Sequence, residues 1–151
     1  MGTRLKNYII PELVFIFNQD HDKDEVLLTT VNNVCDVIHN VSQEQILQAI
    51  LEREKLSPTD IGNGIAVPHC RLDSVSDIIV AISVCPNGVY FSQSGKPVNI
   101  IFLVIGPQSK PEEYLFVLAQ IARITSDKNL LLKVTHSESV DKIYKELSVF
   151  L

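Results

Sequence analysis

The residues of this chain best suited to chemistry lie in the run Thr59-Asp60-Ile61-Gly62-Asn63-Gly64-Ile65-Ala66-Val67-Pro68-His69. One histidine follows a glycine-rich turn and a short apolar stretch. Gly62 and Gly64 have access to backbone angles closed to other residues, so main-chain N–H groups there are expected to turn toward an anion as a phosphate-cradling turn. Pro68 fixes its own φ and biases Val67 toward extended backbone, so His69 is aimed by the main chain. A neutral imidazole keeps one ring nitrogen as a free nucleophile. A rigid histidine beside anion-binding amides suits phosphoryl transfer, where catalysis is mostly positioning and charge stabilisation. The run is a poor dinucleotide fingerprint, because the third glycine is missing and Pro68 works against a helix opening from the turn.

These residues must be held by the elements around them. Upstream, Ser42-Gln43-Glu44-Gln45 reads as a capping box opening a helix that carries Ile46, Leu47, Ile50 and Leu51 and ends at Ser57-Pro58. Before it, the polar run Gln19–Glu25 leads into a helix over Asp24–His39, with apolar residues at mostly three-to-four spacing. Downstream the texture changes. Ile78–Cys85 predicts a buried strand, Pro86-Asn87-Gly88 a turn, Val89-Tyr90-Phe91 a short edge segment, and Val98–Ile105 a central strand stopped at Gly106-Pro107. Ser109-Lys110-Pro111-Glu112 reads as another helix opener, with proline near the first turn and glutamate placed to cap. Shorter helices follow around Asn129–Thr135 and Val140–Leu147. Helices around continuous apolar strands define an α/β or α+β layered domain, and 151 residues fit one such domain, 1–151.

Composition removes several functions. A net charge of −5 with no dense basic block argues against nucleic acid as the partner. No uninterrupted apolar run reaches the length of a membrane span, and Met1–Lys6 carries no secretory or myristoylation pattern. The three cysteines, Cys35, Cys70 and Cys85, are odd in number and form no CxxC pair, which points to reduced thiols in a cytoplasmic protein. Cys70 adjoins His69, but adjacent side chains of an extended segment face opposite ways, so a shared metal is awkward; no metal site and no cofactor are expected. Asp20, His21 and Asp22 read as a solvated loop and helix start. His39 and His136 lack ligand spacing.

The run from Leu51 to His69 resembles the active-site segment of the enzyme IIA domains of the bacterial phosphoenolpyruvate:sugar phosphotransferase system (PTS), in the fructose/mannitol branch that includes the nitrogen-regulatory IIA proteins. The likeness extends to Asn7–Val14, the strand-like run to Gly106 and the final helices, nearly the whole chain. It implies a mixed sheet flanked by helices on both faces. It implies that His69 accepts a phosphoryl group from HPr or a paralogue and passes it to a IIB domain, or serves as a regulatory signal to a regulated protein. The alternative is a non-catalytic nitrogen-regulatory module that binds partners through the same face.

Arg53, sixteen residues before His69, matches an arginine that the family places beside the active site, and its fork can hold two phosphate oxygens. Asn63 sits where mannitol-type domains can carry an acidic residue; it either orients the imidazole or accepts a left-handed backbone angle. Arg71 is a phosphate or partner contact, or a surface residue. One departure stands out. Many relatives carry a second histidine in a Glu-His-Leu pattern, and the matching residues here are Glu113-Tyr114-Leu115. Tyr114 can donate a hydrogen bond, but with an ordinary pKa of about 10 a phenol supplies no switchable positive charge near neutrality.

Overall fold

The computed structural model describes residues 5–92 and 95–150. Met1–Arg4, which carry most of the reading of the N-terminus, lie outside them. Two short 3-10 turns, Leu5–Tyr8 and Pro11–Leu13, lead into β1 (Val14–Ile16), followed by α1 (Lys23–Val37) and α2 (Gln43–Leu56). Then come β2 (Asp60–Gly62), β3 (Ile65–Ala66), β4 (His69–Arg71), β5 (Ile79–Val89) and β6 (Val98–Gly106). Three helices close the chain: α3 (Pro111–Ile124), α4 (Lys128–Thr135) and α5 (Val140–Phe150).

The helices begin where local chemistry can satisfy their free N–H groups. At α1 the box is reciprocal: Glu25 N–H donates to Asp22 Oδ1 at 2.8 Å, and Asp22 N–H donates to Glu25 Oε1 at 3.0 Å. At α2 only half of the expected box forms, with Gln45 N–H donating to Ser42 Oγ at 3.2 Å. Helix α3 starts on Pro111 with no side-chain cap, so the capping glutamate expected there plays no such part.

The sheet is mixed, in the order β1-β5-β6-β3-β2, with β4 also on β6. β5 and β6 form the antiparallel centre, while β1, β3 and β4 lie parallel to their central neighbours. β3 and β4 are one line of chain along β6: Ile65 opposes Ile100, Ala66 opposes Ile101 and His69 opposes Val104, so the register is unbroken across Val67-Pro68. Pro68 has no N–H to give, yet its carbonyl accepts from Val104 N–H at 2.9 Å.

The expected turn at Pro86-Asn87-Gly88 is instead the outer part of β5, which runs to Val89 opposite Val98. A register shift between Val84 and Val89 absorbs the proline and Gly88, whose φ is +85°. The Asn99 amide donates to the carbonyls of Cys85 at 3.0 Å and Pro86 at 3.3 Å, replacing ladder bonds lost there. Tyr90 and Phe91, expected in an edge segment, fall beyond the strand.

Strand alternation splits the core into two layers. Val80, Ile82, Val84, Ile100, Phe102 and Val104 face α3, α4 and α5. Ile79, Ala81, Cys85, Ile101, Leu103 and Ile105 face α1 and α2. Ser83 would be an unpaired hydroxyl on this second face, but it shares a 2.8 Å hydrogen bond with the equally buried Thr30 of α1. Helices therefore cover both faces of the sheet, as expected.

Candidate functional site

His69 opens β4. By alternation it shares a face with Ile65 and Val67, toward α3, while Cys70 points to the α1–α2 side. The ring is half-buried. Its Nδ1 lies 2.7 Å from the carbonyl oxygen of Val67. A carbonyl only accepts, so Nδ1 carries the proton and Nε2 keeps the lone pair.

An open cleft of about 220 Å³ runs beside the ring, lined by Arg53, Pro58, Thr59, Ile61, Val67, His69, Leu118 and Ala122. Arg53 reaches it from the last turn of α2, with Nη1 donating to Ser57 O at 3.0 Å. That bond satisfies one of the open carbonyls at the helix end and leaves the other guanidinium nitrogens for a ligand.

Tyr114, on the first turns of α3, puts its ring centroid 6.2 Å from that of His69, tilted by 55°. Its ring lies against the backbone of Gly106, where an added Cβ would come within 2.5 Å of Cδ1. The side chain is 5% exposed, and burial pushes its pKa well above the ordinary phenol value; Cys70 adds to the rise, and Arg71 and Arg53 oppose it. Tyr114 is thus a neutral wall. Arg71, two residues beyond His69 and on its face, sets Cζ 5.5 Å from the Tyr114 ring centre. His69, Tyr114 and Arg71 form one cluster, with Arg53 on the adjoining cleft.

The glycine turn does not join it. Gly62, Asn63 and Gly64 all have positive φ, at +100°, +54° and +79°, and they reverse the chain between β2 and β3. Five residues of extended chain separate Gly64 from His69, on the order of 16 Å, too far for its amides to cradle a group on the ring. Asn63 takes the second of its two expected parts: it accepts the left-handed angle, and its amide donates to Thr125 O at 2.6 Å, at the end of α3. It does not orient the imidazole.

Cys70 is buried on the opposite face from His69, and burial pushes its thiol up to about 12, so it is a neutral thiol packed against α1 and α2. Among the described residues no group of three His, Cys, Asp or Glu is placed to hold a metal, and no helix is long and apolar enough to cross a membrane. The apolar wall of the cleft, Leu118 and Ala122, reads in the sequence as part of the helix's apolar set and not as part of the site. Their spacing of four and eight from Tyr114 is the signal that finds them.

What the arrangement offers is one oriented ring nitrogen, two guanidinium groups and a cleft open enough for a phosphoryl group on a partner. The same frame recurs in solved structures. The nitrogen regulatory protein IIA-Ntr of Neisseria meningitidis superposes with a TM-score of 0.85 at 23% identity, covering 95% of this chain and 98% of its own. IIA mannitol of Escherichia coli gives 0.79 at 25% identity, covering 92% and 98%. Among curated relatives, a nitrogen regulatory protein of Pseudomonas aeruginosa is 29% identical over 143 residues, 94% of this chain and 93% of the relative. Residues 7–149 match the model of the family "Phosphoenolpyruvate-dependent sugar phosphotransferase system, EIIA 2". The chain belongs to this family of phosphotransferase-system IIA proteins.

Proposed function

We propose that the protein is a histidine phosphocarrier in which Nε2 of His69 takes a phosphoryl group from the phosphohistidine of HPr or a paralogue. The observation that carries this reading is the 2.7 Å hydrogen bond from Nδ1–H to Val67 O, which leaves Nε2 as the unprotonated nitrogen. Its lone pair forms the new N–P bond as the donor's N–P bond breaks in line, and the donor imidazole leaves with that electron pair. No proton moves when the donor ring, like that of His69, keeps a proton on its other nitrogen and so leaves as a neutral imidazole. The His69 ring becomes an imidazolium as the phosphoryl group arrives, so the bond from Nδ1–H to the Val67 carbonyl becomes charge-assisted and strengthens during the reaction.

Arg53 and Arg71 face the three phosphoryl oxygens with fixed positive charge, and Arg53 can engage two of them at once. Tyr114 excludes water on the third side without adding charge. The phosphoryl group then passes to a IIB domain or stays as a signal read by a regulated protein. In E. coli a mannitol IIA of this fold has been solved in complex with phosphorylated IIB, and a recipient docking over the same His69 face is the reading for this chain. The regulatory recipient draws support from the nitrogen regulatory proteins among its relatives and from the uncharged Tyr114. Incubation with phosphoenolpyruvate, enzyme I and HPr tests the reading: one acid-labile phosphoryl group per chain is expected, and none on His69→Ala.

A further inference from the structure

Beside the cleft, in the last turn of α2, Glu54 is 7% exposed and forms an ion pair of 2.8 Å with Lys23. The same carboxylate accepts from Thr59 twice, from its N–H at 3.2 Å and from its hydroxyl. Lys23 is anchored in turn by Phe91 O at 3.2 Å and by the Phe91 ring at 4.7 Å. Thr59 is itself buried, and its carbonyl accepts from Val67 N–H at 2.9 Å. The Val67 carbonyl is the group that accepts from His69 Nδ1–H. Three consecutive hydrogen-bonded links therefore run from a largely buried ion pair to the ring, the last two meeting across the Cα of Val67.

We infer that Glu54 and Thr59 are positioning residues for phosphoryl transfer, holding the backbone at Val67 through its N–H so that the Val67 carbonyl stays aimed at His69, which keeps its proton on Nδ1 and its lone pair on Nε2. The inference rests on His69 being the acceptor. A rotated Val67 peptide would release Nδ1–H, and the alternative tautomer, protonated on Nε2, has no nucleophile in the cleft. Thr59 cannot drift, because its N–H, hydroxyl and carbonyl are all engaged. Stability alone does not call for this device, since a buried ion pair is commonly replaceable by apolar residues without loss. The charged pair instead selects one arrangement at the point where the cleft wall and the strand leading to His69 meet.

The test uses the full chain with 15N-labelled histidine. Long-range proton–nitrogen correlation reads the His69 tautomer in the unphosphorylated protein, and transfer from phospho-HPr is timed separately. Wild type should show the Nδ1–H pattern. Thr59→Val removes the hydroxyl at nearly constant shape; it should mix the tautomers and slow transfer by about tenfold or more. Thr59→Ser restores the hydroxyl and should restore both readouts. Glu54→Gln should behave like Thr59→Val, and it decides the matter if that variant fails to fold. The inference is overturned if Thr59→Val or Glu54→Gln, folded, keeps the wild-type nitrogen pattern and rate, or if Thr59→Ser does no better than Thr59→Val. A wild-type protein that takes no phosphoryl group would overturn the acceptor reading instead, while the tautomer comparison would still stand.

Discussion

His69 and Cys70 are neighbours in the chain and opposites in surroundings. His69 looks toward α3 into an open cleft, with one nitrogen hydrogen-bonded and two arginines nearby. Cys70 looks toward α1 and α2, is buried, and has its thiol pushed up to about 12 by burial. Arg53 and Glu54 repeat the contrast at the end of α2: the arginine lines the cleft and the carboxylate is buried against Lys23. One strand and one helix end thus serve two environments, and side-chain direction, not proximity in sequence, decides which residues do chemistry. The α1–α2 side is closely packed; the α3 side carries the groups proposed to react.

That division can be broken most forcefully from the packed side. Ile101 is fully buried against α1 and α2, and Ile101→Ala should cost about 3 kcal/mol of unfolding free energy from lost transfer and a cavity. Denaturant titration measures this, and the folded fraction should still carry phosphate at close to the wild-type rate. A transfer rate that collapses in protein still folded would show that the two sides are not separable.

On the cleft side the expected pattern is reversed. Arg53→Lys keeps the charge and loses the fork, so transfer should slow by about tenfold, equal to about 1.4 kcal/mol of barrier, with stability unchanged. Single-turnover transfer from phospho-HPr reads it, and an unchanged rate removes Arg53 from the site.

Tyr114→His sharpens the contrast further. An imidazolium would add a charge-assisted hydrogen bond to the phosphoryl group. Burial, Arg71 and Arg53 all oppose that charge, so the introduced histidine should titrate below its ordinary value of about 6.5 and the gain over wild type should grow as pH falls. The comparison is made against wild type at each pH, because acid also protonates Nε2 of His69. Transfer and phosphohistidine lifetime equal to wild type at every pH down to about 5, below the ordinary histidine range, would make Tyr114 a packing residue.

The smallest effect is a rate of labelling. Cys35, only half-buried, should react with a thiol reagent in the native protein well before Cys70 and Cys85, whose thiols burial has pushed up to about 12. Early labelling of Cys70 would put it on the accessible side after all.

Much of this architecture was legible because it announces itself locally. The helices declare themselves by spacing and caps, and β5 and β6 by apolar runs too long to be anything but buried strands. β1 to β4 are two or three residues long, too short to show a period, and only pairing within the sheet defines them: β1 on β5, β3 and β4 on β6, and β2 on β3. The extension of β5 through Pro86-Asn87-Gly88 was hidden because its carbonyls are satisfied by Asn99, thirteen and fourteen residues away. At the site, His69 and Arg53 were named from residue types and resemblance. The cradle was misplaced because Gly64 and His69, close in sequence, stand at opposite ends of an extended segment. Arg71 was named as a phosphate or partner contact or a surface residue, and the strand places it on the face of His69, as a residue two beyond it must be.

The central claim is that Nε2 of His69 is the phosphoryl acceptor. Phosphorylation by enzyme I, HPr and phosphoenolpyruvate, followed by 31P and 15N spectroscopy of the modified histidine, tests it directly. The account predicts one phosphoryl group per chain, bonded to Nε2 of His69 with Nδ1 still protonated, and none on His69→Ala. Phosphate on Nδ1, or undiminished labelling of His69→Ala, would contradict it.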